Sequence, residues 1–329
     1  MTPSMRSLLF LALLAPLACG GTTSTPGDAG DDRWAPDHDA QPAPDGGPLD
    51  AGPPGPAVVL FGGDGPALLD DTWEWGGASW AQRTVKGPTK RYDHALGSLA
   101  GKVILFGGRT LAGASAETWE WDGSAWTQRT VAGPQARAGH RMASLGGKVV
   151  LFGGSGASDY CDTWEWDGSA WTDKGATLTT GLHCVGHAMA SLGGKVFLFG
   201  GVGAKSDTWA YDGASWSKVS DVGPPGRAFS AMTTLGNVIV LFGGEADANN
   251  VLADTWTFDG AKWTQVPAGG PSSRWHHGLA AFQGKAVLFG GDSGKGGWLG
   301  DTWLFDGQAW TEQKGAGPGG RFVYALAAR

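Results

Sequence analysis

The side chains able to carry covalent or metal chemistry are few in this chain of 329 residues. It holds three cysteines, Cys19, Cys161 and Cys184, and seven histidines. Cys184 lies between His183 and His187, a spacing that could bind a metal ion. Alternatively, Cys161 and Cys184 form a disulfide, which an even number of remaining cysteines favours in an exported protein. We favour the disulfide and predict neither a metal site nor a bound cofactor.

Phosphate-binding and nucleophile motifs are absent from the sequence. Its glycine pairs end apolar runs with no helix pattern after them, so they form neither a phosphate loop nor a nucleophile elbow. The net charge is −7, and residues 20–56 carry seven Asp against one Arg. The chain beyond residue 56 is therefore nearly neutral, without a basic patch, which argues against a nucleic-acid partner.

Residues 1–19 have the features of a secretory signal. Arg6 precedes an apolar run of about ten residues, which is too short to cross a hydrocarbon core of roughly 30 Å. The segment Pro16-Leu17-Ala18-Cys19 resembles the bacterial lipobox, although that family usually has Leu in place of Pro16. The resemblance implies cleavage before Cys19 and its acylation. We expect a protein anchored by lipid alone to a bacterial outer membrane or cell surface, with plain secretion as the alternative.

Residues 20–56 are rich in Pro, Gly and Asp and nearly empty of apolar side chains. Such a segment cannot bury enough surface to offset the entropy of ordering the chain, so we expect a disordered linker. Treated as a flexible coil, it would span roughly 30 to 35 Å. The folded domain is expected over residues 57–329.

An apolar run ending in Gly-Gly recurs six times from Ala57 onward, at intervals of 43 to 47 residues. Each run is followed by an acidic residue, Thr and Trp, and by a second aromatic residue two positions later, which places both aromatics on one face of a strand. The segments begin at Asp71, Glu117, Asp162, Asp207, Asp254 and Asp301.

Two further positions recur in every unit or nearly so. A Trp after a tight turn opens the next strand, at Trp80, Trp126, Trp171, Trp216, Trp263 and Trp310. Each unit then ends with Arg and usually His three residues later, as at Arg91 and His94, Arg137 and His140, and Arg274 and His277, whereas the third unit has Cys184 before His187. The tryptophans and these histidines are expected to form the core.

Four strands every 43 to 47 residues are typical of a propeller blade, and the glycine pair, aromatic pair and later Trp resemble the Kelch motif over residues 57–329. WD repeats have a similar period but need a Gly-His opening and a closing Trp-Asp, which these units lack. The resemblance implies an all-β fold: a six-bladed Kelch-type β-propeller with four antiparallel strands per blade. The segment from Phe322 to Ala327 would complete the first blade and close the ring.

The longer loops of the blades are expected to form one variable face, which is the candidate recognition surface. They carry Tyr160, Glu245, Asp292 and Trp298, which no repeat rule demands. On the same face, Cys161 and Cys184 should approach each other. The residues just after the repeat Arg should line the mouth of the central channel, beside Asp93 and His276; they are Tyr92, Ala138, Val185, Phe229, Trp275 and Phe322.

These features predict a monomeric binding or scaffold module for a glycan or a protein, without catalytic residues. A purely structural role in the cell envelope is one alternative. Another is a sugar-modifying enzyme, because sialate mutarotases have similar six-bladed Kelch rings and proton transfer needs only placed acids and bases. Arg109, Glu245, Asp292 and His276 could serve in that reaction.

Overall fold

A computed structural model describes residues 55–175, 178, 184–203, 206–246, 250–267, 269–322 and 325–329. The regular elements of this part of the chain are all β-strands, arranged in six four-stranded antiparallel sheets and one short hairpin. The proposed signal, residues 1–19, lies outside the described residues, as does all but the end of the proposed linker, residues 20–56. No helix among the described residues is long and apolar enough to cross a membrane.

Each sheet is one blade, with its strands ordered from the inner to the outer edge. Blade 1 contains β26 (Ala327–Ala328), β1 (Val58–Asp64), β2 (Leu68–Trp75) and β3 (Trp80–Arg83). Blade 2 contains β4 (Ala95–Leu99), β5 (Lys102–Phe106), β8 (Thr118–Trp121) and β9 (Trp126–Arg129), with the hairpin β6 (Arg109–Thr110) and β7 (Gly113–Ala114) between β5 and β8. Blade 3 contains β10 (Arg141–Leu145), β11 (Lys148–Phe152), β12 (Thr163–Trp166) and β13 (Trp171–Asp173).

The other three blades follow the same order. Blade 4 contains β14 (His187–Leu192), β15 (Lys195–Gly200), β16 (Thr208–Tyr211) and β17 (Trp216–Ser220). Blade 5 contains β18 (Ala231–Leu235), β19 (Val238–Phe242), β20 (Thr255–Phe258) and β21 (Trp263–Val266). Blade 6 contains β22 (Gly278–Phe282), β23 (Lys285–Phe289), β24 (Thr302–Phe305) and β25 (Trp310–Gln313). Each blade thus combines the last strand of one sequence unit with three strands of the next.

The ring is closed by the C-terminal strand. Each inner strand contacts the inner strands of both neighbouring blades, and β26 contacts β22 on one side and β4 on the other. Within blade 1, β26 pairs with β1 in the register Val58↔Ala328 and Val59↔Ala327. The predicted six-bladed propeller, with closure by the C-terminal strand, is confirmed.

Tryptophan links each blade to the one before it. The indole Nε1 of the Trp that opens the outer strand donates to the Thr of the acid-Thr-Trp segment in the preceding blade, at 2.8–2.9 Å in all six cases. Trp126 of blade 2, for example, donates to Thr72 of blade 1, and Trp80 of blade 1 donates to Thr302 of blade 6. Five of these six tryptophans are buried and Trp216 is half-buried, which confirms them as core.

The repeat histidines also lie in the core. His94, His140, His187 and His277 are buried, and each packs edge-on against a Phe of the preceding blade with ring centroids 5.3–5.7 Å apart. Burial, and then the charge of nearby arginines, lowers the pKa of His94, His187 and His277 to about 3. These imidazoles are therefore neutral, and their predicted structural role is confirmed.

In five blades a buried arginine links the segment before the inner strand to the acid-Thr-Trp segment. The repeat Arg before the inner strand pairs with the acid of the acid-Thr-Trp segment in the same blade, and we call this contact the Arg–acid clamp. The guanidinium also donates to the carbonyl of the first glycine in the Gly-Gly pair. The five pairs are Arg321–Asp71, Arg91–Glu117, Arg137–Asp162, Arg227–Asp254 and Arg274–Asp301.

Blade 4 lacks the clamp and has a covalent link instead. Cys184 stands where the other blades have Arg, and its disulfide with Cys161 joins blade 4 to blade 3. The acid of blade 4, Asp207, pairs at 2.8 Å with the more exposed Lys218 on the outer strand. The predicted disulfide is confirmed, and by closing a loop of 23 residues it stabilises the fold by about 3 kcal/mol.

The Gly-Gly pairs are required by close approach of backbones from neighbouring chain segments. Gly153 has a φ of 77°, and a Cβ at this position would lie 2.3 Å from the carbonyl oxygen of Cys184. Gly63, with a φ of 105°, would place a Cβ 2.4 Å from the carbonyl oxygen of Phe322. Because only glycine adopts this conformation without a steric penalty, the pairs fix where the loops of the variable face begin.

Candidate binding face

The mouth of the channel is built from short bridges, one in each of five blades. The residue after the repeat Arg exchanges two backbone hydrogen bonds with the residue that follows the Gly-Gly pair in the same blade. In blade 4, Val202 N donates to the carbonyl oxygen of Val185 at 3.0 Å in the equivalent place. The five bridges are Phe322↔Asp64, Tyr92↔Arg109, Ala138↔Ser155, Ala228↔Glu245 and Trp275↔Asp292.

This register corrects the predicted position of Phe229. The residue directly after the repeat Arg of blade 5 is Ala228, which forms the bridge with Glu245, and Phe229 lies one position further along. The aromatic residues at the bridge position are therefore Trp275, Phe322 and Tyr92, from the three consecutive blades 6, 1 and 2. Phe229 reaches the mouth from the next position in blade 5.

The residue after each bridge adopts a left-handed backbone conformation in every blade that the structure describes there. Blades 3 and 4 have Gly139 and Gly186, whereas Asp93, Phe229 and His276 have φ values of 57°, 57° and 53°. Backbone hydrogen bonds join these positions between blades, as from Phe229 N to Gly186 O at 2.7 Å and from His276 N to Phe229 O at 3.0 Å. A left-handed conformation costs a non-glycine residue roughly 1–2 kcal/mol. Three such residues at one mouth are strained positions of the kind that gather at functional sites.

Four rings form one continuous aromatic surface on one side of the mouth. We call Phe229, Trp275, His276 and Phe322 the aromatic wall; all four are half-buried. His276 stacks on Trp275 with ring centroids 4.3 Å apart and meets Phe229 edge-on at 4.2 Å. Phe322 contacts His276 at 5.3 Å and Trp275 at 6.3 Å. The structure thus brings together four of the predicted binding residues.

His276 is a neutral member of this wall. Burial, followed by the positive charge of Arg141 and the neighbouring His277, holds the pKa of His276 well below its usual range. Arg141 is 8% exposed and lines a small chamber of about 50 Å³ within the channel, together with residues such as Leu279 and Leu326. A larger cavity of about 250 Å³, lined by later residues of the inner strands including Ser98 and Ser144, lies further along the same channel.

Acidic residues occupy the bridge partners on the same side as the aromatic wall. Glu245, Asp292 and Asp64 belong to the consecutive blades 5, 6 and 1 and are half-buried. Burial raises the pKa of Asp64, which a hydrogen bond from the backbone of Gly65 only partly offsets. One oxygen of Asp292 accepts a hydrogen bond from Gly294 N at 2.6 Å and so holds its own loop.

The opposite side of the mouth has a different character. Its bridge partners in blades 2, 3 and 4 are Arg109, Ser155 and Val202. The residues after the repeat Arg or Cys in blades 3 and 4, Ala138 and Val185, are small or medium-sized. The mouth is therefore divided into an acidic, aromatic half from blades 5, 6 and 1 and a smaller-residue half from blades 2, 3 and 4, to which blade 2 adds one aromatic ring, Tyr92, and one carboxylate, Asp93.

Two further predicted binding residues, Tyr160 and Trp298, lie in loops and are not part of the aromatic wall. Tyr160 covers the clamp of blade 3, because the guanidinium carbon of Arg137 lies 4.4 Å from its ring centroid. This contact gives Tyr160 a structural role beside any role in binding. Trp298 is 45% exposed in the loop of blade 6, where Asp292 and Trp298 form a bridge.

Sequence reasoning missed three features of this face. Leu111, at the tip of the β6–β7 hairpin, is 91% exposed, but isolated apolar residues in loops have no sequence signature. Asp64 is part of β1 and completes the acidic set. The left-handed positions could have been found, since the second residue after the repeat Arg or Cys is glycine in two units, Gly139 and Gly186.

The alternative metal site is not formed by the described residues. Cys184 is in the disulfide, His187 packs against Phe152, and His183 lies outside the described residues. In the part of the chain that the structure describes, no group of three His, Cys, Asp or Glu side chains could hold a metal ion.

Six radial sheets of four antiparallel strands define the chain as a β-propeller. The KLHDC2/KLHL20/DRC7 Kelch-repeats domain model matches residues 186–326, which span blades 4 to 6. No curated protein matches the chain. The family match over blades 4 to 6 and the six-bladed fold together support the predicted Kelch-repeat β-propeller, a class that suggests a protein-binding scaffold.

Proposed function

We propose that the propeller is a binding module that recognises a glycan or a protein through the mouth of its channel and the loops around it. The aromatic wall carries the proposal, because Phe229, Trp275, His276 and Phe322 form a partly exposed ring surface at the mouth. Flat aromatic surfaces stack on sugar rings and pack against peptide side chains. The left-handed conformations of Phe229 and His276 support the same assignment, since the fold retains a conformational cost there.

We further propose that the module acts by binding and not by catalysis. In the ring order, Arg109 of blade 2 lies three blades away from Glu245 of blade 5 and two from blade 6, so this cation is on the other side of the mouth from the remaining suggested acid–base residues. The lowered pKa of His276 also makes it a weak base. Both observations favour a binding module over a mutarotase-like enzyme.

A selective-binding screen tests this function. The purified full chain is applied to a glycan array and to a displayed peptide library, together with the variants Trp275→Ala and Phe322→Ala. We expect a ligand whose binding is lost in both variants, because each substitution removes one ring of the aromatic wall. The control is Val222→Ala, which shortens an apolar side chain that is 77% exposed and lies outside the mouth. Absence of selective binding in both screens would overturn the proposal.

Export and lipid anchoring are part of the proposed role. They are supported by the signal-like residues 1–19 and by the lipobox-like Pro16-Leu17-Ala18-Cys19. The disulfide between Cys161 and Cys184 agrees with an oxidising compartment. Mass spectrometry of the mature N-terminus in a bacterial host tests the anchor. Acylated Cys19 as the first residue is the expected result, and an unmodified Cys19 or cleavage at another position contradicts it.

A further inference from the structure

We propose that the ligand of the mouth is a positively charged protein segment, whose Lys or Arg side chains enter the half of the mouth formed by the aromatic wall and the acidic bridge residues. This inference rests on the proposed function, namely that the mouth binds a ligand, and it adds the chemical class of that ligand.

Aromatic rings of the mouth lie beside carboxylates. In an antiparallel pair the two residues of a bridge project their side chains to the same side, with Cβ atoms about 5 Å apart. The register Trp275↔Asp292 and Phe322↔Asp64 therefore sets two rings of the aromatic wall directly beside a carboxylate. An aromatic face next to a carboxylate attracts an ammonium or guanidinium group through cation–π and ionic interactions together.

Negative charge is concentrated at the mouth. Four carboxylates, Asp64, Asp93, Glu245 and Asp292, belong to the mouth, against the cations of Arg109 and the more deeply buried Arg141. The chain beyond residue 56 has a net charge of only −2, so this excess of acid is local to the mouth and not a property of the whole surface. A negative mouth favours cationic ligands and disfavours anionic ones such as acidic glycans or acidic peptides.

The carboxyl group of Asp64 is partly removed from solvent. Partial loss of solvent raises the pKa of this carboxyl, which means that its negative charge is poorly compensated by water. A bound cation would restore part of that compensation. The left-handed conformations of Asp93, Phe229 and His276, at the corresponding position of three blades, independently place backbone strain at the same mouth.

The test is a titration of the full chain with three synthetic peptides of equal length, in which the charged positions are Lys and Arg, Gln, or Glu. A neutral polysaccharide is the fourth ligand. We expect selective binding of the cationic peptide, weakened about tenfold when the salt concentration rises from about 50 mM to about 500 mM. The double variant Asp64→Asn with Asp292→Asn should raise its Kd about tenfold, because two partly buried ion pairs are lost. Asparagine retains the carbonyl acceptor that Asp292 offers to Gly294 N.

The control carries the same change of net charge at a distance from the acidic half. Asp173→Asn with Asp221→Asn removes two exposed carboxylates, one from the outer strand of blade 3 and one from the end of the outer strand of blade 4. It should leave the Kd within about twofold, since exposed charges outside the mouth are screened by salt. Equal weakening by both double variants would show non-specific charge attraction and overturn the inference. A further variant is Glu245→Gln. It should raise the Kd of the cationic peptide, and it provides a test even if Asp64→Asn disturbs the fold.

The outcomes separate the inference from the proposed function. If the neutral or acidic ligand binds best, with loss in Trp275→Ala but not in the Asp64→Asn, Asp292→Asn variant, the mouth is a binding face and the cationic assignment is wrong. If none of these four ligands binds, the cationic assignment is wrong. The glycan array and the displayed peptide library then still test the proposed function. Both the binding function and the cationic ligand are supported if the cationic peptide binds selectively and in a salt-sensitive way. This binding should be lost in the aromatic and in the acidic variants.

Discussion

Deleting residues 322–329 is expected to lower the melting temperature by about 10 °C or more and to broaden the unfolding transition. The deletion removes β26, which pairs with β1 and contacts β22 and β4 on its two sides. It exposes the edge of β1 and takes Leu326 and Ala327 out of two inter-blade cores. The loss of these contacts costs about 5 kcal/mol, which corresponds to about 10 °C in a domain of this size. Circular dichroism during heating measures the effect.

As a control for this deletion, the missing strand is added back as a separate peptide. A synthetic peptide of residues 322–329 should raise the melting temperature of the truncated protein, because it can pair with the open edge of β1. A scrambled peptide of the same composition should not. An unchanged melting temperature after the deletion would contradict closure of the ring by this strand.

Replacing Arg274 with Met is expected to destabilise the protein by about 3–5 kcal/mol. The guanidinium of Arg274 is fully buried, pairs with both oxygens of Asp301 at 2.7 and 2.8 Å, and donates to Gly290 O at 3.1 Å. Methionine fills much of the same volume but leaves the Asp301 carboxylate and the Gly290 carbonyl without this donor. Removing one partner of a buried ion pair leaves an uncompensated charge, which is the source of the large cost. The midpoint of urea unfolding measures it.

Blade 4 provides a matched control for the clamp. Lys218→Met removes the cation that pairs with Asp207, the corresponding acid, but the Lys218 side chain is 40% exposed. An exposed pair is worth at most about 1 kcal/mol, so this variant should remain near wild-type stability. Equal losses from Arg274→Met and Lys218→Met would show that the clamp has no special role.

The effect of Arg274→Met should also depend on pH. Burial alone would raise the pKa of Asp301, but the hydrogen bonds and charge of Arg274 outweigh it and lower that pKa below the usual value of about 3.8. A carboxyl whose pKa is lowered by folding stabilises the fold above the unfolded pKa and loses that contribution as the pH falls through the folded value. The difference between wild type and variant should therefore be full at about pH 7 and shrink below about pH 4. A difference that grows on acidification would contradict the pairing.

Most of the fold was predictable because each blade repeats the same local pattern. The acid-Thr-Trp segment with its second aromatic, as at Asp162 to Trp166, marks a strand with a buried face, and the Gly-Gly pairs mark where strands end. Six copies of one pattern leave little choice of architecture, since a single blade cannot bury its own faces. The same regularity made Cys184 visible as the exception, and its disulfide with Cys161 was predicted from the two cysteines that remain in an exported chain and from their loops on one face.

The candidate site was predictable in its location and less so in its details. The mouth and its aromatic residues Trp275 and Phe322 could be placed from the repeat, but Phe229 was assigned to a position that Ala228 occupies. Tyr160 has a contact with Arg137 that its loop sequence does not encode. These details depend on tertiary contacts between segments that are separated in the sequence.

The number of blades, their strand order and the residues that build the core can be read from the amino-acid sequence, because they follow from periodicities of two residues along a strand and about 45 residues along the chain. The bridge Phe322↔Asp64 and the contact of His276 with Phe229 depend on the folded ring, since they join residues far apart in sequence. The division of the mouth into an acidic, aromatic half and a smaller-residue half belongs to this second group. Its physical cause is ring closure, which sets blade 1 with Asp64 and Phe322 beside blade 6.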